Sequence, residues 1–153
     1  MTPSFDQLLD AVVREHYPHP PATELEIAAF EARAGWPLGP ELRAFYLRCN
    51  GAELFAPLPE ANYSILSLGE VQRARIRMRG TDDDSVSPGT WWVLVDCQDS
   101  DFILVDASGR APYPMLDAFH ETFPQVKQVA ASFGEFLSRA LTSRNRLYWL
   151  QKP

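Results

Sequence analysis

The segment from Trp36 to Gly51 constrains the fold of this chain more than any other stretch of its sequence. Gly35 can end a preceding helix, Trp36 follows as an aromatic anchor, and Pro40 fits the first turn of a new helix. In that helix, four apolar residues share one face at spacing i, i+3, i+4 and i+7: Leu42, Phe45, Tyr46 and Cys49. Asn50-Gly51 then supplies a left-handed stop of the kind that commonly ends helices. The segment therefore predicts two packed helices joined by a proline turn.

Four helix starts carry capping boxes, in which Ser or Thr is followed three residues later by Glu or Gln. The pairs are Ser4 with Gln7, Thr23 with Glu26, Ser67 with Glu70, and Ser132 with Glu135. They predict helices over about residues 5–16, 24–35, 69–78 and 133–141. The last helix has the clearest amphipathic face, made by Phe133, Phe136, Leu137, Ala140 and Leu141.

Strand character appears after Gly51, where helical spacing gives way to short apolar runs. Residues 63–68, 91–95 and 102–105 are predicted strands, and residues 113–116 could add a further one. The two middle strands form a hairpin with a polar tip. Residues 80–89 have the composition of a loop, and the proline-rich stretch 17–21 cannot continue the first helix. The tail from residue 146 onward could add a strand or dock its apolar side chains.

This order of elements predicts an α+β fold in one domain over residues 1–153. The N-terminal helices and a C-terminal helix would pack on one face of a mostly antiparallel twisted sheet. The expected core spans about residues 22–143. Residues 1–21 form an N-terminal helix and a proline-rich turn, and residues 144–153 form a C-terminal tail.

Composition and charge exclude several classes of function. No apolar run approaches the roughly 18 residues that a membrane span needs, and the N-terminus lacks the pattern of a signal peptide. We therefore expect a cytoplasmic protein without a membrane partner. The net charge of −6 argues against nucleic-acid binding. Residues 81–122 carry nine acidic side chains and one basic side chain, net −8, and this block could steer a basic partner.

Four motifs follow one another in a fixed order along the chain. They are Ile27 to Glu31; Trp36-Pro37-Leu38 continuing through Leu42, Phe45 and Asn50-Gly51; Ser67-Leu68-Gly69-Glu70 followed by the hairpin; and Ser132-Phe133-Gly134-Glu135-Phe136-Leu137. Their order and spacing resemble the SUKH superfamily over roughly residues 22–143. One departure is the hairpin tip, where this chain has Gln98-Asp99-Ser100-Asp101 without the usual glycine.

The resemblance implies a protein-binding module that needs no cofactor and no catalytic residues. Bacterial members are mostly immunity proteins, whose concave surface contacts a cognate toxin domain, often a nuclease. A second interpretation is a regulatory or scaffolding module, as in the related yeast cell-wall assembly regulator domain. The sequence does not decide between a monomer and a dimer.

Six residues are candidates for partner contact: Asp82, Asp83, Asp84, Trp91, Asp99 and Asp101. The three consecutive aspartates could fit a basic nuclease cleft, or they could simply be a solvated loop. Asp96, Asp99, Asp101 and Asp106 surround the hairpin and could form an acidic interaction surface. Trp91 and Trp92 point to opposite faces, so one belongs to the core. The other is either half-covered or an exposed anchor.

Other polar residues offer weaker alternatives. The arginines at 73, 75, 77 and 79 could form a solvated face, balance nearby acids or bind an anion. A small hydrolase could use Cys97 with His120, or a pair of aspartates from the hairpin. His16 and His19 lack cysteine partners for zinc, and the hairpin lacks the glycine and glutamate of a calcium loop. We therefore expect a binding protein rather than an enzyme.

Overall fold

An antiparallel sheet of seven strands forms the centre of the structure, a computed structural model that describes residues 2–151. In chain order, the strands are β1 (Tyr17–Pro18), β2 (Ala52–Leu54), β3 (Tyr63–Ile65), β4 (Trp91–Asp96), β5 (Phe102–Asp106), β6 (Met115–Ala118) and β7 (Lys127–Ala130). The helices are α1 (Phe5–Glu15), α2 (Glu24–Ala34), α3 (Gly39–Arg48), α4 (Ala74–Arg79) and α5 (Phe133–Leu141). Each strand pairs with its neighbours in sequence. The α+β prediction is confirmed.

The helix boundaries follow the capping signals of the sequence. Ser4 and Thr23 form complete capping boxes at the starts of α1 and α2. At α5, the Ser132 hydroxyl accepts from the Glu135 N–H, whereas the Glu135 carboxylate accepts from the N–H of Ala131. Among residues 2–151, no helix is both long enough and apolar enough to cross a membrane.

One face of the sheet carries the main hydrophobic core, to which α1, α2, α3 and α5 contribute. Five residues of the predicted family motif lie in this core: Trp36, Leu42, Phe45, Phe133 and Phe136. The Trp36 ring contacts the rings of Phe30, Trp92 and Tyr113 edge-on, at centroid distances of 5.4, 5.9 and 5.4 Å. Edge-on aromatic contacts of this kind stabilise a core beyond the area that they bury. Trp36 therefore joins α2 to the middle of the sheet.

The other face of the sheet is covered as well, which differs from the predicted arrangement with helices on one face. Helix α4 lies there, and Ala74 packs with Val93, Leu104 and Phe123 in a second apolar cluster. The alternation along β5 explains the two clusters, because side chains of successive residues point to opposite faces.

The predicted helix over residues 69–78 is interrupted in the structure. A 3₁₀ turn at Leu68–Glu70 precedes α4, and the two are separated at residues 71–73. The carbonyl of Gln72 accepts from the N–H of Val93, and Arg73 forms an isolated bridge with Trp92. The backbone of this short segment therefore pairs with β4, so the helix cannot run through it.

Three strands were not predicted: β1, β2 and β7. Strand β1 has two residues, one of them Pro18, and β7 begins with the polar pair Lys127-Gln128. Strand β2 is buried along its whole length, although it contains Glu53. None of these segments shows the alternation or the apolar run by which strands are recognised.

Asn50 and Gly51 join α3 to the sheet, and they leave almost no space between the end of the helix and the sheet. Helix α3 ends at Arg48, Cys49 is already extended, and the left-handed residue is Gly51, with φ +94°. A Cβ at Gly51 would lie 2.6 Å from the carbonyl oxygen of Ile65. The Asn50 side chain accepts from the N–H of Leu68 at 2.9 Å. The left-handed conformation therefore turns the chain into β2 rather than capping the helix directly.

As far as residue 151, the tail docks on the core and adds no strand. The Tyr63 hydroxyl donates to the carbonyl of Arg146 at 2.5 Å and accepts from the N–H of Tyr148 at 3.2 Å. The Trp149 ring stands perpendicular to the Tyr63 ring at 6.0 Å and lies 6.2 Å from that of Phe136. These contacts fix the path of the chain after α5.

Replacing Gly51 with Ala is expected to destabilise the protein far more than the same change at Gly35. Both glycines have positive φ, but only at Gly51 would the new Cβ collide with backbone atoms. We expect a loss of about 1 kcal/mol for Gly35→Ala from the left-handed conformation alone. For Gly51→Ala we expect about 3 kcal/mol, because overpacking adds to it. Urea denaturation measures both values, and equal losses would contradict the close approach.

Candidate functional site

The acidic loop that follows α4 is held by arginines of the same chain. The buried Arg75 donates to Asp82 at 2.7 Å and to Asp84 at 2.5 Å. Arg73 also donates to Asp82, at 3.3 Å. Asp83 accepts from the N–H of Ser85 at 2.9 Å, and this hydrogen bond closes a turn within the loop. Two of the three predicted contact residues in this loop therefore already have cationic partners.

The four arginines do not form a simple solvated face, since Arg75 is only 7% exposed. Arg73 and Arg77 lie over the rings of Trp92 and Phe102, at 5.1 and 4.7 Å from the ring centroids. Arg79 donates to the carbonyls of His120 and Phe123. The arginines balance the acidic loop and pack on aromatic rings.

Trp91 and Trp92 point to opposite faces of the sheet, as predicted. Trp92 belongs to the main core and is 4% exposed. Trp91 is half-buried, with its ring 6.3 Å from that of Phe123. Of the two alternatives for this residue, half-covered or exposed anchor, the structure therefore shows the first. Contact between Trp91 and a partner stays a prediction.

The tip of the β4–β5 hairpin has an unusual backbone. Gln98, Asp99 and Ser100 all have positive φ, at 69°, 53° and 65°. The Gln98 amide donates to the carbonyls of Pro59 and Ala61, which ties the tip to the preceding loop. The tip therefore keeps its shape without the glycine usual in the superfamily. The Asp99 side chain is exposed at this tip.

The aspartates around the hairpin do not form one cluster. Asp96 accepts from the N–H of Gln98 at the tip, and Asp106 accepts from the N–H of Ser108 at the opposite end. Asp101 accepts from both the backbone N–H of His120 and its Nδ1, at 3.1 and 2.9 Å. Asp96, Asp99 and Asp101 therefore share one end of the hairpin, without Asp106.

The thiol of Cys97 is poorly suited to nucleophilic attack. Cys97 is 5% exposed, and burial raises the pKa of its thiol, with Asp117, Asp96 and Asp101 raising it further. The reactive thiolate is therefore disfavoured. The His120 ring binds Asp101, not this sulfur.

A cavity of about 300 Å³ opens beside the hairpin tip, between β6 and the tail. We call it the tail pocket. Its lining residues are Asp101, Asp117, Phe119, Thr122, Leu147, Trp149 and Leu150. Two carboxylates thus share a small space with apolar and aromatic side chains, and no lysine or arginine is among the described lining residues.

The surroundings of Asp117 in the tail pocket disfavour its charged form. Its pKa is raised from 3.8 to about 6, chiefly because burial disfavours the charged form and secondly because Asp101 is close. Lys127, its cross-strand neighbour on β7, lowers the pKa but does not outweigh these effects. Within residues 2–151, no group donates a hydrogen bond that contributes to this shift.

The apolar wall of the tail pocket is both exposed and fixed. Leu150 is 64% exposed and Phe119 is 36% exposed, whereas Trp149 is half-buried and rests on Tyr63 and Phe136. Large apolar side chains left on a surface are typical of interaction sites when they lie together.

The sequence identified only Asp101 of the tail pocket as a contact residue. Asp117 was missed, because a single aspartate in a short strand gives no local signal. The tail was noted for its aromatic residues, but its position beside β6 depends on contacts with Tyr63, more than 80 positions earlier in the chain.

A second cleft, of about 250 Å³, lies between α3, α5 and the β5–β6 connection. Its lining is mostly apolar, and it includes Pro40, Leu42, Tyr113 and Phe133. The carboxylate of Glu41, also in the lining, accepts from the N–H of Gly134 at 3.2 Å. Glu41, the one charged residue among the described lining residues, is therefore already hydrogen-bonded within the protein.

The histidines bind other groups of the chain. His16 Nδ1 accepts from the N–H of Phe55 at 2.9 Å. His19 bridges the carboxylate of Glu53 and the carbonyl of Asn50, at 2.6 and 3.1 Å. In the part of the chain that the structure describes, no three metal-binding side chains come together.

Replacing Asp117 with Asn is expected to stabilise the protein at about pH 7 and to have little effect at about pH 4. The raised pKa means that the folded state holds the proton more tightly, so wild-type stability falls as pH rises from about 4 to about 6. The amide in the Asp117→Asn variant carries no charge, so the variant escapes this loss. We expect a gain of about 1 kcal/mol, discounted because the side chain is partly exposed.

Urea denaturation across this pH range measures the effect. In a matched variant, Asp101→Asn, NMR titration should show a lower pKa for Asp117. An Asp117 pKa that stays the same in this variant would contradict the proximity of the two carboxylates.

Comparison with known proteins identifies the family to which the chain belongs. A search of the curated proteins gave no match. The family model described as SMI1 / KNR4 family (SUKH-1) matches residues 21–139, which run from just before α2 into α5. The matched span contains Asp101 and Asp117 but not the tail residues that complete the tail pocket. Because the match covers most of the sequence, the chain belongs to the SMI1 / KNR4 family (SUKH-1).

Proposed function

We propose that this protein is an immunity-type binder that neutralises a cognate bacterial toxin domain through a stoichiometric protein–protein complex. Membership of the SMI1 / KNR4 family supports a protein-binding role. The observation that carries the proposal is the tail pocket, where two carboxylates and exposed apolar side chains lie together. A cytoplasmic location remains a prediction from the sequence.

The chemistry of this edge favours a basic partner surface. Asp99, Asp101 and Asp117 lie on the hairpin tip and the adjoining β6, whereas Asp82 and Asp84 already bind arginines. Charge complementarity would steer the encounter and select the partner. Leu150 and Phe119 beside these acids would supply buried apolar contact, which contributes most to the affinity of an interface.

A binder and a carboxylate hydrolase differ in how many toxin molecules one copy can neutralise. The observation that favours the hydrolase is the raised pKa of Asp117 beside Asp101, because such pairs serve as acid and base in enzymes. A binder blocks toxin in a fixed ratio. An enzyme would inactivate an excess of toxin, and the Asp117→Asn variant would lose this ability.

The first prediction of this proposal is a tight one-to-one complex with the product of the neighbouring reading frame, weakened by salt. The reason is that the proposed contact uses carboxylates, whose attraction is screened as ionic strength rises. Co-purification followed by calorimetry at low and high salt measures it, with toxin titrated at several ratios. Absence of a complex would contradict the immunity proposal, and a complex with a host protein instead would favour the scaffolding module.

The second prediction uses two exposed leucines as a matched pair. Leu150 lies at the tail pocket and is 64% exposed, whereas Leu25 lies on α2 and is 79% exposed. Neither change to Ser should alter folding by more than about 0.5 kcal/mol, because both sites are on the surface. We expect Leu150→Ser to weaken the complex about tenfold and Leu25→Ser to leave it unchanged. Equal affinities for the two variants would exclude the tail pocket as the contact.

A further inference from the structure

We propose that the tail pocket receives a single arginine side chain of the partner, with its stem against Trp149 and its guanidinium between Asp101 and Asp117. This inference deepens the proposed function and rests on it. It assigns one occupant to the cavity and makes its acids and its aromatic wall parts of one recognition site.

The position of the carboxylates is the first argument. Asp117 is on β6, in register with Ile103 of β5, and Asp101 immediately precedes β5. Asp101 lines the pocket and uses its Oδ1 atom for both bonds with His120, so these bonds leave its Oδ2 atom free. Asp117 is partly desolvated. In the part of the chain that the structure describes, no salt bridge joins Asp117 to Lys127. Two carboxylates held near each other gain most from a cation that can contact both.

The apolar wall is the second argument, and it favours arginine. Leu147 and Trp149 line the pocket together with the acids, so an occupant contacts apolar surface as well as charge. The long stem of a basic side chain fits such a surface while its head stays at the polar end. A guanidinium is planar, weakly hydrated and able to stack on an aromatic ring, which a lysine ammonium does less well.

The rigidity of the wall is the third argument. The Trp149 ring contacts Tyr148 at 5.1 Å, Tyr63 at 6.0 Å and Phe136 at 6.2 Å. The hydrogen bonds of the Tyr63 hydroxyl with the tail hold the same segment. A ring held in this way is ordered before the partner arrives, so binding needs little further ordering on this side.

The probe is a short peptide, acetyl-Gly-Arg-Gly-amide, compared with peptides in which citrulline or lysine replaces arginine. Citrulline keeps the shape of arginine and removes its charge. Two-dimensional NMR follows the backbone amides of β6 and the indole N–H of Trp149 during titration. We expect binding of the arginine peptide in the millimolar range, about tenfold tighter than that of the citrulline peptide.

Three variants test the residues. Asp117→Asn and Trp149→Leu should each weaken binding of the arginine peptide at least about fivefold. Asp106→Asn is the matched control, because it removes the same charge at the opposite end of the hairpin, outside the pocket lining, and should leave binding unchanged. The NMR spectrum of each free variant reports whether it is folded.

The outcomes separate this inference from the proposed function. Equal binding of the arginine and citrulline peptides, or equal weakening by Asp106→Asn and Asp117→Asn, would overturn the arginine pocket. Lysine peptide binding as tight as arginine would overturn the assignment of arginine. If the toxin complex forms but ignores Asp117→Asn, this inference fails and the immunity function stands. If the arginine peptide binds as expected but no toxin complex forms, the pocket stands and the immunity function fails.

Discussion

The close approach of Gly51 to strand β3 is the constraint on which the rest of the structure depends. With φ +94° and no side chain, Gly51 lets the end of α3 meet the backbone of residues 65–67 directly. The carbonyl of Gly51 also accepts from the N–H of His19, and the N–H of Asn50 donates to the carbonyl of Pro20. One short junction therefore sets the position of α3, the proline-rich turn and the first three strands.

The core that this junction organises also positions the tail pocket. Helix α3 presents Phe45 to Phe133 of α5, and Phe136, one turn later, contacts Tyr63 of β3 and the tail. The aromatic contacts thus continue from the family motif to the residues that form the apolar wall. The proposed recognition site is an extension of the main core to the surface, which gives it a rigid base.

Much of the fold could be predicted from the sequence, because the relevant signals are local. The capping residues Ser4 and Thr23, the helical spacing after Ser132 and the two apolar runs of the hairpin each act within a few residues. The break before α4 could not be predicted, since it arises when Gln72 and Arg73 pair with β4, which lies about twenty positions later.

The candidate site was less predictable, because it also depends on contacts between residues that are remote in the chain. A run of three aspartates suggested a contact surface, but Arg75 returns from α4 to bind two of them. The tail pocket joins the hairpin, β6 and the tail, and only their packing brings Asp117 near Trp149. An isolated aspartate carries no pattern, and its burial depends on segments that are remote in the chain.

The sequential pairing of the seven strands has a consequence for the order in which the molecule can assemble during synthesis. Each strand can pair with the preceding one soon after it has left the ribosome, and the longest wait is that of β1, which pairs with β2 only after α2 and α3 have been made. The wall formed by Leu147, Trp149 and Leu150 is different, since it is translated after every strand and after α5. A nascent chain can thus hold a nearly finished sheet while the proposed recognition site still lacks its apolar wall.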